Sequence, residues 1–157
     1  MKQPKERTRI QAPVLALGMI ALAFVLGMLR PLLIVETSAR VGGFVLTVLG
    51  FLLGLGALFA FRKTRDPSTS LRTSPQRRGP RLVTSGVYRL SRNPIALGFL
   101  LMLVGLPLNS GSLWGLLLAP IMIVLFNWFV IEPEEKDLTN RFGEEYTAYQ
   151  SRVRRWI

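Results

Sequence analysis

The residues able to do chemistry cluster at a few places in the 157-residue chain. Arg92-Asn93-Pro94-Ile95-Ala96-Leu97-Gly98 sits where a basic, polar stretch runs into a long apolar one. Leu82-Val83-Thr84-Ser85-Gly86-Val87-Tyr88 lies just upstream, and Glu134-Glu135 and Phe142-Gly143-Glu144-Glu145-Tyr146 follow two apolar segments later. The chain has no histidine and no cysteine. The usual general base, the commonest metal ligand and any thiolate are therefore excluded, and with them a disulfide framework. What remains is carboxylate, guanidinium, phenol, amide and backbone. Groups of this kind bind and orient a cofactor, and no metal is expected.

These pieces must be carried by membrane elements. Half the residues are hydrophobic and the mean hydropathy is +0.36. The apolar residues come in long uncharged runs rather than in one amphipathic period. A first span is read from Ala12 to Leu29, ended or kinked at Arg30-Pro31 because proline disfavours helix in the residue before it. Leu32 to Val35 could lengthen it. A second runs from Val41 to Phe61 and carries Gly50 and Gly54 at the spacing that lets helices approach closely; the alternative is that small residues are simply common in spans. A third apolar segment, Pro94 to Leu108, is short, and a fourth runs from Leu113 to Ile131. The turn Asn109-Ser110-Gly111-Ser112 between them predicts an antiparallel helical hairpin. From Pro133 to Ile157, Leu138, Phe142, Tyr146, Tyr149, Val153 and Trp156 recur at three- and four-residue spacing. That stripe predicts one amphipathic interfacial helix, with Arg152, Arg154 and Arg155 in its last turns.

The net charge of +11 follows the same plan. Four Lys or Arg lie in 2–9, nine in 62–92 and five in 136–155, with only Arg30 and Arg40 elsewhere. Four spans with both termini inside place eighteen of the twenty on the cytoplasmic face. Residues 62–81 read as a solvated linker able to touch anionic headgroups. No aromatic residue is interleaved there for base stacking, so a nucleic-acid partner is not expected. The reading is an all-α polytopic membrane protein of one domain, 1–157: a tail and two spans over 1–61, the linker 62–81, and a cofactor-binding core over 82–157.

The ordered set LVTSGVYRLSRNPIALG, hydrophobic hairpin, EE and FGEEYTAYQSRV resembles the isoprenylcysteine carboxyl methyltransferase and phospholipid methyltransferase families, over about residues 80–157. The resemblance implies a multi-pass membrane enzyme, in a bacterial inner membrane, that uses S-adenosylmethionine bound at the cytosolic helix ends to methylate a lipophilic or membrane-embedded acceptor. Its cofactor contacts carry over to Arg81, Leu82, Val83, Tyr88, Asn93, Pro94, Ile95, Ala96 and Glu134, with Arg92, Gly98 and Glu135 as further candidates. No residue is assigned to proton transfer. Three positions depart from the families' pattern: Asn93 stands for His, Ala96 for Tyr, and Val130 where the carboxyl methyltransferases carry an Arg. They keep a second reading in play, a non-catalytic membrane scaffold that acts through lipids or partners.

Each candidate also has a plainer use. Glu134 and Glu135 favour a helix start, Arg92 can anchor to headgroups, Gly98 can serve packing rather than a ligand, and Tyr88 can be an interfacial anchor rather than an adenosine wall. Trp114 and Trp128 read as belt residues, Tyr146 and Tyr149 as packing. Asn127, one turn inside the fourth segment, needs a partner there, either across helices or at a substrate entrance.

The charge distribution yields a direct test. A cysteine placed at Ser70 is unique in the chain and should react with an impermeant maleimide only after the cytoplasmic side is opened. Labelling of intact cells at that site would overturn the topology.

Overall fold

A computed structural model describes residues 11–30, 32, 36–65 and 82–157. The N-terminal tail, Arg81 and most of the predicted linker lie outside these residues. Among the described residues the protein is helical, with no strand: α1 Ala12–Leu29, α2 Thr37–Arg65, a 3₁₀ turn Gly86–Arg89, α3 Pro94–Asn109, α4 Trp114–Phe126, a π turn Asn127–Ile131, α5 Glu132–Phe142 and α6 Glu144–Gln150. Among the described residues three helical stretches are long and apolar enough to cross a membrane: Ala12–Leu29, Thr37–Ala60, and Trp114–Phe142, which runs unbroken through α4, the π turn and α5. The third apolar segment is a shorter helix of 16 residues.

Helix α3 is central and packs against α1, α2 and α4. Its contact with α2 is made almost backbone to backbone. A Cβ on Gly98 would stand 2.6 Å from the Gly50 carbonyl oxygen, and one on Gly105 would stand 2.7 Å from that of Gly43. Both pairs are seven residues apart and run in opposite order, so the two helices are antiparallel and in register over two turns. Thr47 fills the position between, its hydroxyl donating to the Gly43 carbonyl at 2.9 Å. Gly50 of the predicted close-approach pair thus serves a contact inside the chain. The outer side of α2 presents Phe44, Phe51 and Phe59, which are more than half exposed and suit lipid rather than water.

On the other side, Gly115 of α4 is pressed against the Leu103 carbonyl and Pro107 of α3. Leu103, Met122 and Phe126 are fully buried, and Met19, Ile20 and Ala23 of α1 complete this core. The turn between α3 and α4 has Gly111 at φ +81°. It is fastened to the end of α1: the Trp114 indole donates to the Arg30 carbonyl at 2.7 Å, and the Leu113 N–H to the Leu32 carbonyl at 3.1 Å. Trp114 therefore closes an orphan helix-end carbonyl, whereas Trp128 is largely exposed.

The C-terminal region departs from the sequence expectation. No single helix spans Pro133 to Ile157. Helix α5 continues the apolar helix before it rather than starting at Pro133, and it ends at Gly143, whose φ of +51° halts the helix. Helix α6 lasts seven residues, and the residues after Gln150 fold back as a strap. A straight helix would set Glu135 and Arg155 about 30 Å apart, at 1.5 Å per residue. In the fold their side chains are 2.6 Å apart. The stripe still faces inward, with Tyr146 and Tyr149 buried, but it does so across a break.

The glycine contacts set a stability test. Gly98→Ala should cost about 1–3 kcal/mol, because the methyl meets a backbone oxygen that cannot rotate away. Gly18→Ala meets nothing within 4 Å and should be neutral or stabilise by up to about 1 kcal/mol through helix propensity. Thermal unfolding in detergent compares the two.

Candidate functional site

The sequence candidates converge at one end of the helices, where the 3₁₀ turn, the head of α3, α5, α6 and the strap meet. Pro94 opens α3, where its missing N–H costs nothing, and is buried. Ser91 is fully buried. Its hydroxyl accepts the Asn93 N–H at 3.1 Å and donates to the Arg155 carbonyl at 3.1 Å. The Arg92 N–H donates to the Arg154 carbonyl at 3.0 Å. The Asn93 amide donates to the Arg155 carbonyl at 3.4 Å. The strap therefore runs alongside Ser91–Asn93 and takes up their polar groups. It is anchored further by Trp156, whose indole donates to the Asn127 side-chain oxygen at 3.2 Å. Asn127 thus has a partner across the fold, at the start of the π turn.

Glu135 is the charge centre of this arrangement and is buried. Arg155 grips both its oxygens, with Nε 3.2 Å from Oε1 and Nη2 2.6 Å from Oε2. Arg92 Nη1 stands 3.0 Å from Oε1, an ion-pair contact without hydrogen-bond geometry. The Arg92 Nε and Nη1 groups are buried and have no hydrogen-bond acceptor among the described residues. Hydrogen bonding to Glu135 raises the Arg155 pKa, outweighing the opposing effect of burial, so its charge is permanent.

Consecutive helical residues point about 100° apart, at 3.6 residues per turn, so Glu134 and Glu135 cannot share a task. Glu134 is exposed on α5, and its negative charge acts on Tyr88. The Tyr88 phenol is shifted up by burial first and by Glu134 second. Tyr88 lies in the 3₁₀ turn, and its carbonyl accepts the Tyr149 hydroxyl at 2.6 Å. Tyr146 and Tyr149 rings lie 6.1 Å apart in a tilted pair. Burial raises the Tyr146 pKa, with Glu135 adding to it and Arg92 opposing it.

The other candidates are placed as follows. Leu82 and Val83 are half-buried ahead of the 3₁₀ turn, Ala96 is buried in the first turn of α3 and Ile95 is exposed on it. Gly98 faces Gly50, so packing is the use its missing side chain serves here. Val130 is half-buried in the π turn. Arg81 lies outside the described residues. Arg155, Ser91 and Trp156 were not among the sequence candidates. For Arg155 and Trp156 the available signal was the RVRRW string, whose charges read equally well as a helix end facing headgroups, and Ser91 lay unremarked inside the segment before Pro94.

Residues 38–145 match the phospholipid methyltransferase family, more than half of the chain, and the protein belongs to that family. Over 74 residues it is 35% identical to methanethiol S-methyltransferase 1 of Bradyrhizobium diazoefficiens, which covers 47% of this chain and 25% of that protein. Over 61 residues it is 39% identical to an uncharacterized protein of Haemophilus influenzae, covering 39% of this chain and 97% of that protein. The chain thus aligns with a quarter of the first relative's length and nearly all of the second's. No solved structure matches.

Tyr149 offers a pH test. Burial, followed by the neighbouring Tyr146 and Tyr88, pushes its pKa up to about 12 from 10.0. The raised value favours the protonated phenol in the folded state. The corresponding stability is complete below pH 10 and is lost as the pH climbs through 12. Tyr149→Phe should cost about 0.5–1.5 kcal/mol at neutral pH through the lost hydrogen bond. It should also show a shallower decline than wild type in alkaline melts.

Proposed function

We propose that the protein is an integral membrane enzyme that transfers a methyl group from S-adenosylmethionine to a lipophilic acceptor held in the membrane. The observation that carries this reading is the half-buried Arg92, whose buried Nε and Nη1 lack hydrogen-bond acceptors among the described residues, at the end of the fold where the Glu134 carboxylate acts on the Tyr88 phenol. The methyl donor is zwitterionic at its amino-acid end and aromatic at the other. The residues present fit it: a carboxylate for the ammonium or ribose hydroxyls, a guanidinium for the carboxylate, and a phenol ring as a wall for the adenine. Family membership supports the same chemistry.

In this proposal the chain has four crossings. α3, the third in order, is the shortest, and it forms with α4 a hairpin whose other end carries the site. Both termini and the site face the cytoplasm of a bacterial inner membrane, as the positive charges favour. Bound S-adenosylmethionine supplies a methyl group already activated on sulfonium, for displacement in line by the acceptor. The donor would leave as S-adenosylhomocysteine, and a thiol or amine acceptor would give up its proton to water. Glu134 orients the donor, Tyr88 excludes water from it, and the buried Arg92 holds its acidic end. Asn93, Pro94, Ile95 and Ala96 form the shelf at the head of α3, with Leu82 and Val83 as its apolar edge. Such positioning is the main means by which an enzyme accelerates a displacement. Acceptors reach the site laterally from lipid. The site holds no cation at Val130 to grip a prenylcysteine carboxylate, so an acceptor without a carboxylate at that point is favoured. The methanethiol methyltransferase relative acts, by its name, on a small thiol, which makes thiols and lipid amines the first acceptors to screen.

The test is calorimetric titration of the purified protein in detergent with S-adenosylmethionine. Glu134→Gln keeps the size and removes the charge, and should weaken binding about tenfold to a hundredfold, as expected for one charged hydrogen bond of roughly 1.5–3 kcal/mol. Glu144→Gln, on an exposed residue of α6, should bind as wild type does. Equal affinity of Glu134→Gln and wild type would remove Glu134 from the site. No binding by wild type would favour the scaffold reading.

A further inference from the structure

We propose that Arg155 is a positioning residue for the methyl-donor site, acting through Glu135 to keep the buried Arg92 guanidinium available for the donor's carboxylate. The inference rests on the methyl-donor reading of the site.

Glu135 has two oxygens and serves two guanidinium groups. Arg155 approaches in the forked mode, with Nε 3.2 Å from Oε1 and Nη2 2.6 Å from Oε2. Arg92 is left with a single contact to Glu135, Nη1 to Oε1 at 3.0 Å, and its remaining side-chain partner among the described residues is the Tyr146 phenol. Forked pairing is the preferred geometry of an arginine and a carboxylate. If Arg155 were absent, the freed Oε2 would let Glu135 turn and engage Arg92 in that way, consuming donors that now face no acceptor. Charge points in the same direction. Arg155 adds a positive charge beside Glu135, offset in part by Glu132, which also acts on it, and the Arg92 side chain is only 12% exposed. Arg92 and Glu135 alone would be neutral and would offer an anion nothing. A buried donor group without an acceptor is costly, and a ligand carboxylate would satisfy it.

The strap is built to deliver this one side chain. Its backbone on either side is fixed, by the Arg92 N–H on the Arg154 carbonyl and the Ser91 hydroxyl on the Arg155 carbonyl. Trp156 is tied to Asn127. Arg154, the neighbouring cation, is exposed and contributes only its carbonyl here. Arg155 is half-buried and points inward.

The experiment compares two ligands on full-length protein in detergent: S-adenosylmethionine and its decarboxylated form, which keeps the adenosine, sulfonium and ammonium but lacks the carboxylate. Arg155→Gln should weaken S-adenosylmethionine about tenfold, the size of one charged contact, and leave the decarboxylated ligand unchanged. Adding Glu135→Gln to Arg155→Gln should recover affinity for S-adenosylmethionine toward wild type, because without the carboxylate charge nothing competes with the ligand for Arg92. Arg152→Gln, an exposed neighbour whose side chain bonds the Ala148 carbonyl, should match wild type. If Arg155→Gln does not fold, Arg155→Lys carries the test, since it keeps the charge but not the planar fork and should show a smaller loss confined to the carboxylate-bearing ligand. Unchanged affinity for S-adenosylmethionine, or equal loss for both ligands, would overturn the positioning role while leaving the methyl-donor site in place. Failure of wild type to bind either ligand would instead overturn the methyl-donor reading and this inference with it.

Discussion

Everything at the functional end of the molecule depends on one buried carboxylate. Glu135 lies between two guanidinium groups that are remote in sequence, Arg92 ahead of α3 and Arg155 in the C-terminal strap. Removing charges from water costs several kcal/mol per ion, recovered only with close geometry. Here the recovery requires three chain segments to be in place together. The head of α3, the end of the long α4–α5 helix and the strap are therefore locked to one another, and loss of Glu135 leaves two guanidinium groups together without their counter-charge. Such an interaction contributes little net stability when intact and is strongly destabilising when broken. Its value is in fixing positions. It accounts for the strap leaving the helical path set by its hydrophobic stripe, since that path would have carried Arg155 far from Glu135.

A second constraint operates in the apolar half. Lipid offers no hydrophobic drive for helix association, so contact relies on close packing. The Gly50–Gly98 and Gly43–Gly105 pairs bring α2 and α3 together at backbone distance, and Gly115 does the same for α4. Helix α3 is thus held on three sides. Its head, where Arg92, Asn93 and Pro94 sit, becomes a rigid shelf rather than a mobile loop. A binding site on a rigid element wastes less of its interaction energy on ordering. The end of α2 also supports the 3₁₀ turn that carries Tyr88, with Gly56 close against Val87.

Much of this was legible in the sequence. The apolar runs, read against the length a helix needs to cross a bilayer, located α1, α2 and α4 and marked the shortness of α3. Pro94 announced the start of α3, and the buried status of Tyr146 and Tyr149 followed from their place on the stripe. The ordered motifs pointed to the phospholipid methyltransferase family, to which the chain belongs. Less legible were choices between neighbours. Glu134 and Glu135 are chemically identical, and either could begin a helix or bind a ligand. Gly98 could make room for a ligand or for a helix, and Asn127 could seek any partner.

What the sequence by itself determined is everything that depends on composition and local period: the helical class, the approximate spans, and the residue types available for chemistry once histidine and cysteine are absent. Only the tertiary structure decided which side chains act together. It turned Glu135 inward and left Glu134 beside Tyr88, set Gly98 against Gly50, and brought Arg155 back over twenty residues to share a carboxylate with Arg92. The physical reason is the range of the forces. Propensity and hydrophobic period act over one or two turns and can be read along the chain. Ion pairing and backbone contact act over about 3 Å between segments whose meeting is fixed by the packing of the whole.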